Sequence, residues 1–250
     1  MRTLAIANQK GGVGKTTTAV SLAACCAELG RRVLLVDLDA QASASIWLGV
    51  KEEGRGLLEV FTEGAPLAPL ARDTGVPGLS LVPSSLWLSN AEKALAGEPG
   101  AEAVLRKAIR KLPDRWDLVL VDCPPTLGLL AVAALTACGE VLVPVEAKVM
   151  ALNGLAQLTR TIDTVRDRLN EDLELAAILA CRVTHTRLSG EVVDSLRKHF
   201  GSKVMRVEIR ENVRLAEAPS YGKPINLYAP ESYGAEDYRA AARELLGVTP

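Results

Sequence analysis

"TLAIANQKGGVGKTTTAV", residues 3–20, decides the fold. A short apolar run, "TLAIAN", leads directly into glycines at 11, 12 and 14. Small and apolar residues then recur at helical spacing from Lys15 to a plausible stop at Gly30. Strand, glycine loop and helix in that order make a phosphate cradle. The glycines let successive N–H groups converge on an anion, and the helix N-terminus adds its dipole. The backbone of Gly11, Gly12, Val13 and Gly14 would wrap the phosphates, and Lys15 would reach the β- and γ-phosphates. The Thr16 hydroxyl would ligate Mg²⁺ and that of Thr17 would bond the α-phosphate. The loop also opens on a second lysine, Lys10, which phosphate binding alone does not require.

Outward from the loop, strands and helices alternate. "RRVLLVDLD" (31–39), "LSLVPS" (79–84), "WDLVLVDCPP" (116–125), "EVLVPVE" (140–146) and "LELAAILAC" (173–181) read as buried strands. Helices are predicted at residues 127–138, 151–170, 190–201, 212–219 and 234–247, with a short one around Leu57 to Phe61. The pattern predicts one α/β domain over residues 1–250. It is expected to be a three-layer P-loop NTPase fold, a mostly parallel sheet with helices on both faces and ligands at the carboxyl ends of the strands. Two strands end on acids there. Asp122 follows "LVLV", where a P-loop protein holds Mg²⁺ through water. Asp37 and Asp39 close the second strand on one face. One of them would orient an attacking water and the other would hold the loop.

Composition narrows the class. The chain is 48% hydrophobic with a net charge of -1, so nucleic acid could be met only by a local patch. Five cysteines without CxxC spacing argue against a disulfide framework and for reduced thiols in a cytoplasm. Cys123 and Cys138 also admit a second reading, as ligands of a cluster shared between subunits. "MRTLAIANQ" is too short for a signal peptide, and no run spans a membrane.

Four segments in order, "NQKGGVGKTTTAVSLA", "RRVLLVDLDAQ", "VDCPPTLGLL" and "NVRLAEAPSYGKPI", resemble the ParA/Soj family of chromosome- and plasmid-partitioning ATPases. That family belongs to the deviant Walker A group, with MinD and the nitrogenase iron protein. The resemblance implies an ATP hydrolase using ATP and Mg²⁺, slow until stimulated by a ParB-like centromere-binding protein and DNA. It implies an ATP-dependent homodimer packed face to face, in which Lys10 crosses to the partner's nucleotide. Gly11 would pack at that face, Asp39 would support hydrolysis and Asp122 would be the Walker B aspartate. The dimer would bind double-stranded DNA without sequence preference and be nucleoid-associated in the cytoplasm.

The chain departs from the family at three points. Ala40 replaces the proline of D-x-D-P-Q, which predicts a looser loop after Asp39. In "ACRVTH" (180–185), Val183 and His185 stand where the family shows Asp and Arg. Arg210 replaces the proline near the adenine, ahead of Asn212, so either an arginine would stack on the purine or the base pocket would be poor. These departures motivate an alternative, a nucleotide-dependent positioning scaffold with weak or no hydrolysis. A further alternative, a MinD-like membrane cycler, is disfavoured because "RAAARELLGVTP" lacks the basic, bulky-apolar character of a membrane-surface helix. Residues 182–223 carry nine cations against five acids, and Arg187 and Arg214 are the candidate DNA contacts within them.

Overall fold

A computed structural model describes residues 1–148 and 151–248. Among them, one sheet is built from β1 (Arg2–Ile6), β2 (Val33–Asp37), β3 (Arg72–Asp73), β4 (Leu79–Val82), β5 (Leu118–Asp122), β6 (Glu140–Glu146), β7 (Glu174–Val183) and β8 (Ile209–Arg210). The helices are α1 (Lys15–Glu28), α2 (Ser43–Trp47), α3 (Leu57–Glu63), α4 (Ala91–Ala94), α5 (Val104–Arg110) and α6 (Leu129–Ala137). The second half adds α7 (Ala151–Arg168), α8 (Arg187–Phe200), α9 (Val213–Glu217), α10 (Ile225–Tyr228) and α11 (Tyr233–Leu246).

The strand order is β3-β4-β2-β5-β1-β6-β7-β8. All pairings are parallel except the β3–β4 edge. Parallel strands need covered faces, and alternation along each strand supplies two cores. Leu34, Val36, Val119 and Val121 face a layer formed by α3 and α5–α8. Leu4, Ile6, Leu35 and Leu120 face α1, α2, α10 and α11. Helix α1 is held between the sheet and α11, which explains its run of small residues and its burial over nearly its whole length. No helix of the described residues is long and apolar enough to cross a membrane.

The register sets the site. Asp122 at the tip of β5 lies opposite Ile6 of β1 on one side and Asp37 of β2 on the other. The glycine loop that follows β1 therefore opens beside both carboxylates.

The predicted helix at residue 190 begins three residues earlier, at Arg187, because Thr186 caps it by accepting from the Ser189 N–H at 3.3 Å. The sequence reading assigned neither β8 nor α5.

Candidate active site

The loop has the conformation its glycines permit. Gly12 (φ +74°) and Gly14 (φ +91°) are left-handed, a region that disfavours any side chain. Gly11 is not, and a Cβ added there would meet no atom within 4 Å. Lys15 is only 6% exposed, and its Nζ donates to the Lys10 carbonyl at 3.0 Å, folding across the curl of the loop. Burial pushes its ammonium down, while the charges of Asp122, Cys123 and Asp39 push it up. A desolvated cation of this kind is poised for an anion.

Asp122 is fully buried, and neither carboxylate oxygen has a hydrogen-bond partner among the described residues. Burial and the neighbouring Asp37 charge push its carboxyl well above the ordinary range, with Asp39 adding to the rise. The Thr16 hydroxyl and the Lys15 ammonium pull it down. An orphaned carboxylate beside a hydroxyl at a phosphate loop is a donor set that fits a hydrated Mg²⁺.

Only Asp37 ends β2; Asp39, read from the sequence as closing the same strand, follows it in the loop. Asp37 is buried and accepts from the Ser45 N–H (2.8 Å), the Ser45 hydroxyl (2.6 Å) and the Asp39 N–H (3.3 Å). It anchors α2. Asp39 lies past the end of the strand, half-buried, accepting from the Gln41 N–H at 2.9 Å. Its carbonyl accepts from Ala42 at 2.8 Å. The loop that lacks the family's proline is thus tied by its own hydrogen bonds, and Ala42 pays for the turn with a left-handed φ of 53°.

A cleft of about 610 Å³ runs from Gly12, Gly14 and Thr17 to Ile209, Arg210, Glu211 and Asn212. That volume suits a nucleotide-sized ligand. Arg210 lines it, but its guanidinium is committed elsewhere. It reaches Asp237 at 2.6 Å and Glu236 at 2.8 Å, and lies over the Tyr233 ring at 4.1 Å. Stacking of that group on a base is therefore not its arrangement here. The signal lay in α11, whose Glu236 and Asp237 come to β8 only in three dimensions. Asn212 uses its side chain to cap α9, accepting from the Arg214 N–H at 2.8 Å.

Lys10 turns back onto its own chain. Its Nζ lies 3.3 Å from Oε2 of Glu146 at the tip of β6. Oε1 of the same carboxylate meets Lys148 at 2.7 Å and Arg182 at 3.1 Å. Burial alone would raise Glu146, yet hydrogen bonds and charge from Lys148 and Lys10 hold it below the usual carboxylate range. Sequence reasoning missed Glu146, which it took only as a strand residue.

The candidate DNA contacts stand on the same edge, after β7 and β8. Arg187, with its side chain 93% exposed, pairs with Glu191 at 2.8 Å. Arg214 pairs with Glu217 at 2.8 Å. Arg182, Arg197 and Arg210 are likewise ion-paired, whereas Lys198, Lys203, Arg206 and Lys223 form no ion pair among the described residues. The basic patch is therefore weaker than its residue count. Cys123 and Cys138 lie in the core, their thiols pushed up by burial.

A family profile described as an AAA domain matches residues 1–175. The chromosome-partitioning ATPase Soj of Thermus thermophilus is 48% identical over 247 residues, covering 98% of this chain and 96% of that protein. The sporulation initiation inhibitor protein Soj of Bacillus subtilis is 41% identical over 245 residues, 97% of each. Among solved structures, cobyrinic acid a,c-diamide synthase of Mycobacterium smegmatis with bound ATP analog and magnesium superposes with a TM-score of 0.86. It is 34% identical, over 98% of this chain and 94% of that one.

Proposed function

Because this chain belongs to the ParA/Soj family of partitioning ATPases, we propose that it segregates DNA through an ATP-gated dimer. It is an ATP hydrolase that works with Mg²⁺. In our reading two subunits close face to face over their nucleotides, and Lys10 of each reaches the phosphates of the other. The closed dimer binds double-stranded DNA through Arg187 and Arg214 of both subunits. A ParB-like partner stimulates hydrolysis and releases it.

The single observation that carries this reading is the second lysine. Lys15 already occupies the curl of the loop, so Lys10 is surplus to a one-subunit site. A triphosphate shut between two protein faces is desolvated and calls for that extra charge as its oxygens separate in the transition state.

Within one subunit, the glycine loop and Lys15 would bind and orient the phosphates. Thr16 and Asp122 would hold Mg²⁺, which supplies charge neutralisation at the phosphates when bound. Asp39, on a loop anchored through Asp37 to α2, would orient the water that attacks the γ-phosphate. Water enters, the γ-phosphoryl passes to it, and ADP and phosphate leave.

DNA retardation with ATP, with ADP and without nucleotide tests the proposal, together with sedimentation of an Asp39→Ala chain. Retention of DNA only with ATP, by a dimer, is expected. Equal retention in all three states, or a monomer at saturating ATP, would overturn it.

A further inference from the structure

Arg182 has a left-handed φ of 53° although it is not glycine, a conformation that is unfavourable where nothing requires it. It sits at a bulge: Cys181 pairs with Ile209 and Val183 with Arg210, leaving Arg182 unpaired between them. The bulge turns its side chain from the sheet to the carboxylates beside the glycine loop. There it bridges Glu146 (3.1 Å) and Glu211 (3.3 Å). Both Arg182 and Glu211 line the nucleotide cleft. Glu146, the buried member of the group, is the carboxylate that also holds Lys10.

Resting on the dimer reading above, we propose that Glu146 and Arg182 are positioning residues that hand Lys10 from its own subunit to the partner's nucleotide. Glu146 keeps Lys10 in place while the site is open. Removing the last cation from a buried carboxylate is strongly unfavourable, but removing one of three is not. Lys148 and Arg182 are the cations that remain. An anionic nucleotide in the cleft repels Glu211 and attracts Arg182, so Glu146 is left as the only carboxylate partner of Arg182. Arg182 and Lys148 then stay with Glu146 as Lys10 departs, so the occupied cleft and the released lysine are coupled through one carboxylate.

The test is a titration of dimer against ATP and Mg²⁺, read by sedimentation in the full chain carrying Asp39→Ala. Glu146→Gln frees Lys10 and is expected to lower the ATP concentration at half-dimerisation about fivefold, within the usual range for contacting charges. Arg182→Ala and, independently, the exposed Lys148→Ala each raise it by a similar factor, and Arg182→Lys restores most of the loss. In the Glu146→Gln background, Arg182→Ala has no further effect. Non-additivity of this kind, together with the rescue by lysine, is a result a merely structural role for these residues would not give. If the Asp39→Ala parent stays monomeric at saturating ATP, the dimer reading itself fails. If the parent dimerises but the midpoints do not move, or Arg182→Ala adds its full effect to Glu146→Gln, the hand-over is wrong and the dimer reading stands.

Discussion

Single side chains here have opposed tasks that can be separated by substitution. Asp122 is a buried carboxylate with unpaired oxygens, and its proton is favoured by the fold. The native state therefore holds a proton that the unfolded chain releases in the ordinary carboxyl range. Stability of the nucleotide-free protein falls as pH rises from that range through the raised value. Asp122→Asn should raise the melting temperature of the nucleotide-free protein at pH 7.5 and flatten its pH dependence. The same change should abolish the extra thermal protection that Mg²⁺ gives over ATP alone. A melting series with and without Mg²⁺ checks both. The glycines divide in a similar way. Gly14→Val is strained by its φ of +91° and should lose nucleotide binding. Gly11→Val has open space around it, so it should bind ATP within a few fold of wild type and yet fail to dimerise, by calorimetry and sedimentation respectively.

Short elements carry the connections between these side chains. Helix α2 is tied to the sheet by Ser45, whose hydroxyl donates to Asp37 and accepts from the Ser84 N–H at 2.9 Å. Ser45→Ala removes a hydrogen bond to a buried carboxylate and should cost about 2 kcal/mol in denaturant unfolding, together with a drop in kcat as Asp39 loses its anchor. What was legible in the sequence follows from element length. The glycine loop, α1 and the long buried strands each repeat their pattern over enough residues to be read, and Asp122 was found because it ends such a run. Strand β8 spans two residues and carries no periodicity. Helix α5 lies in a stretch of mixed charge with only seven residues to show a repeat. Asp37 and Asp39 fell on one face by alternation, but the strand stops at Asp37, and only Ser45, brought in by α2, tells the anchor from the water-facing acid. The partners of Arg210 and Lys10 are 26 or more residues away, so their engagement with Asp237 and Glu146 is a property of topology.

Over the whole molecule, the carboxyl edge of the sheet gathers the glycine loop, the acids and the arginines after β7 and β8 on one side. In the proposed DNA-bound state the arginine ion pairs on that edge would have to open, which would limit what one subunit could do alone. Doubling the surface in the proposed dimer would compensate through avidity. Arg214→Ala should weaken DNA retention by the ATP-bound dimer and lower the slope of log affinity against log salt by about two, one for each subunit, with no change in ATP turnover without DNA. A salt series by fluorescence anisotropy measures it. The opposite condition holds in the interior, where all five cysteines are buried. Burial lifts the thiols of Cys26 and Cys181 to about 12, and those of the other three also rise. A maleimide dye offered to the folded protein at neutral pH will find almost no thiolate to attack. Gln157→Cys, exposed on α7 where Gln9 beside Lys10 reaches it, would therefore take up the label by itself, giving an optical reporter of subunit closure without first stripping the native sulfurs.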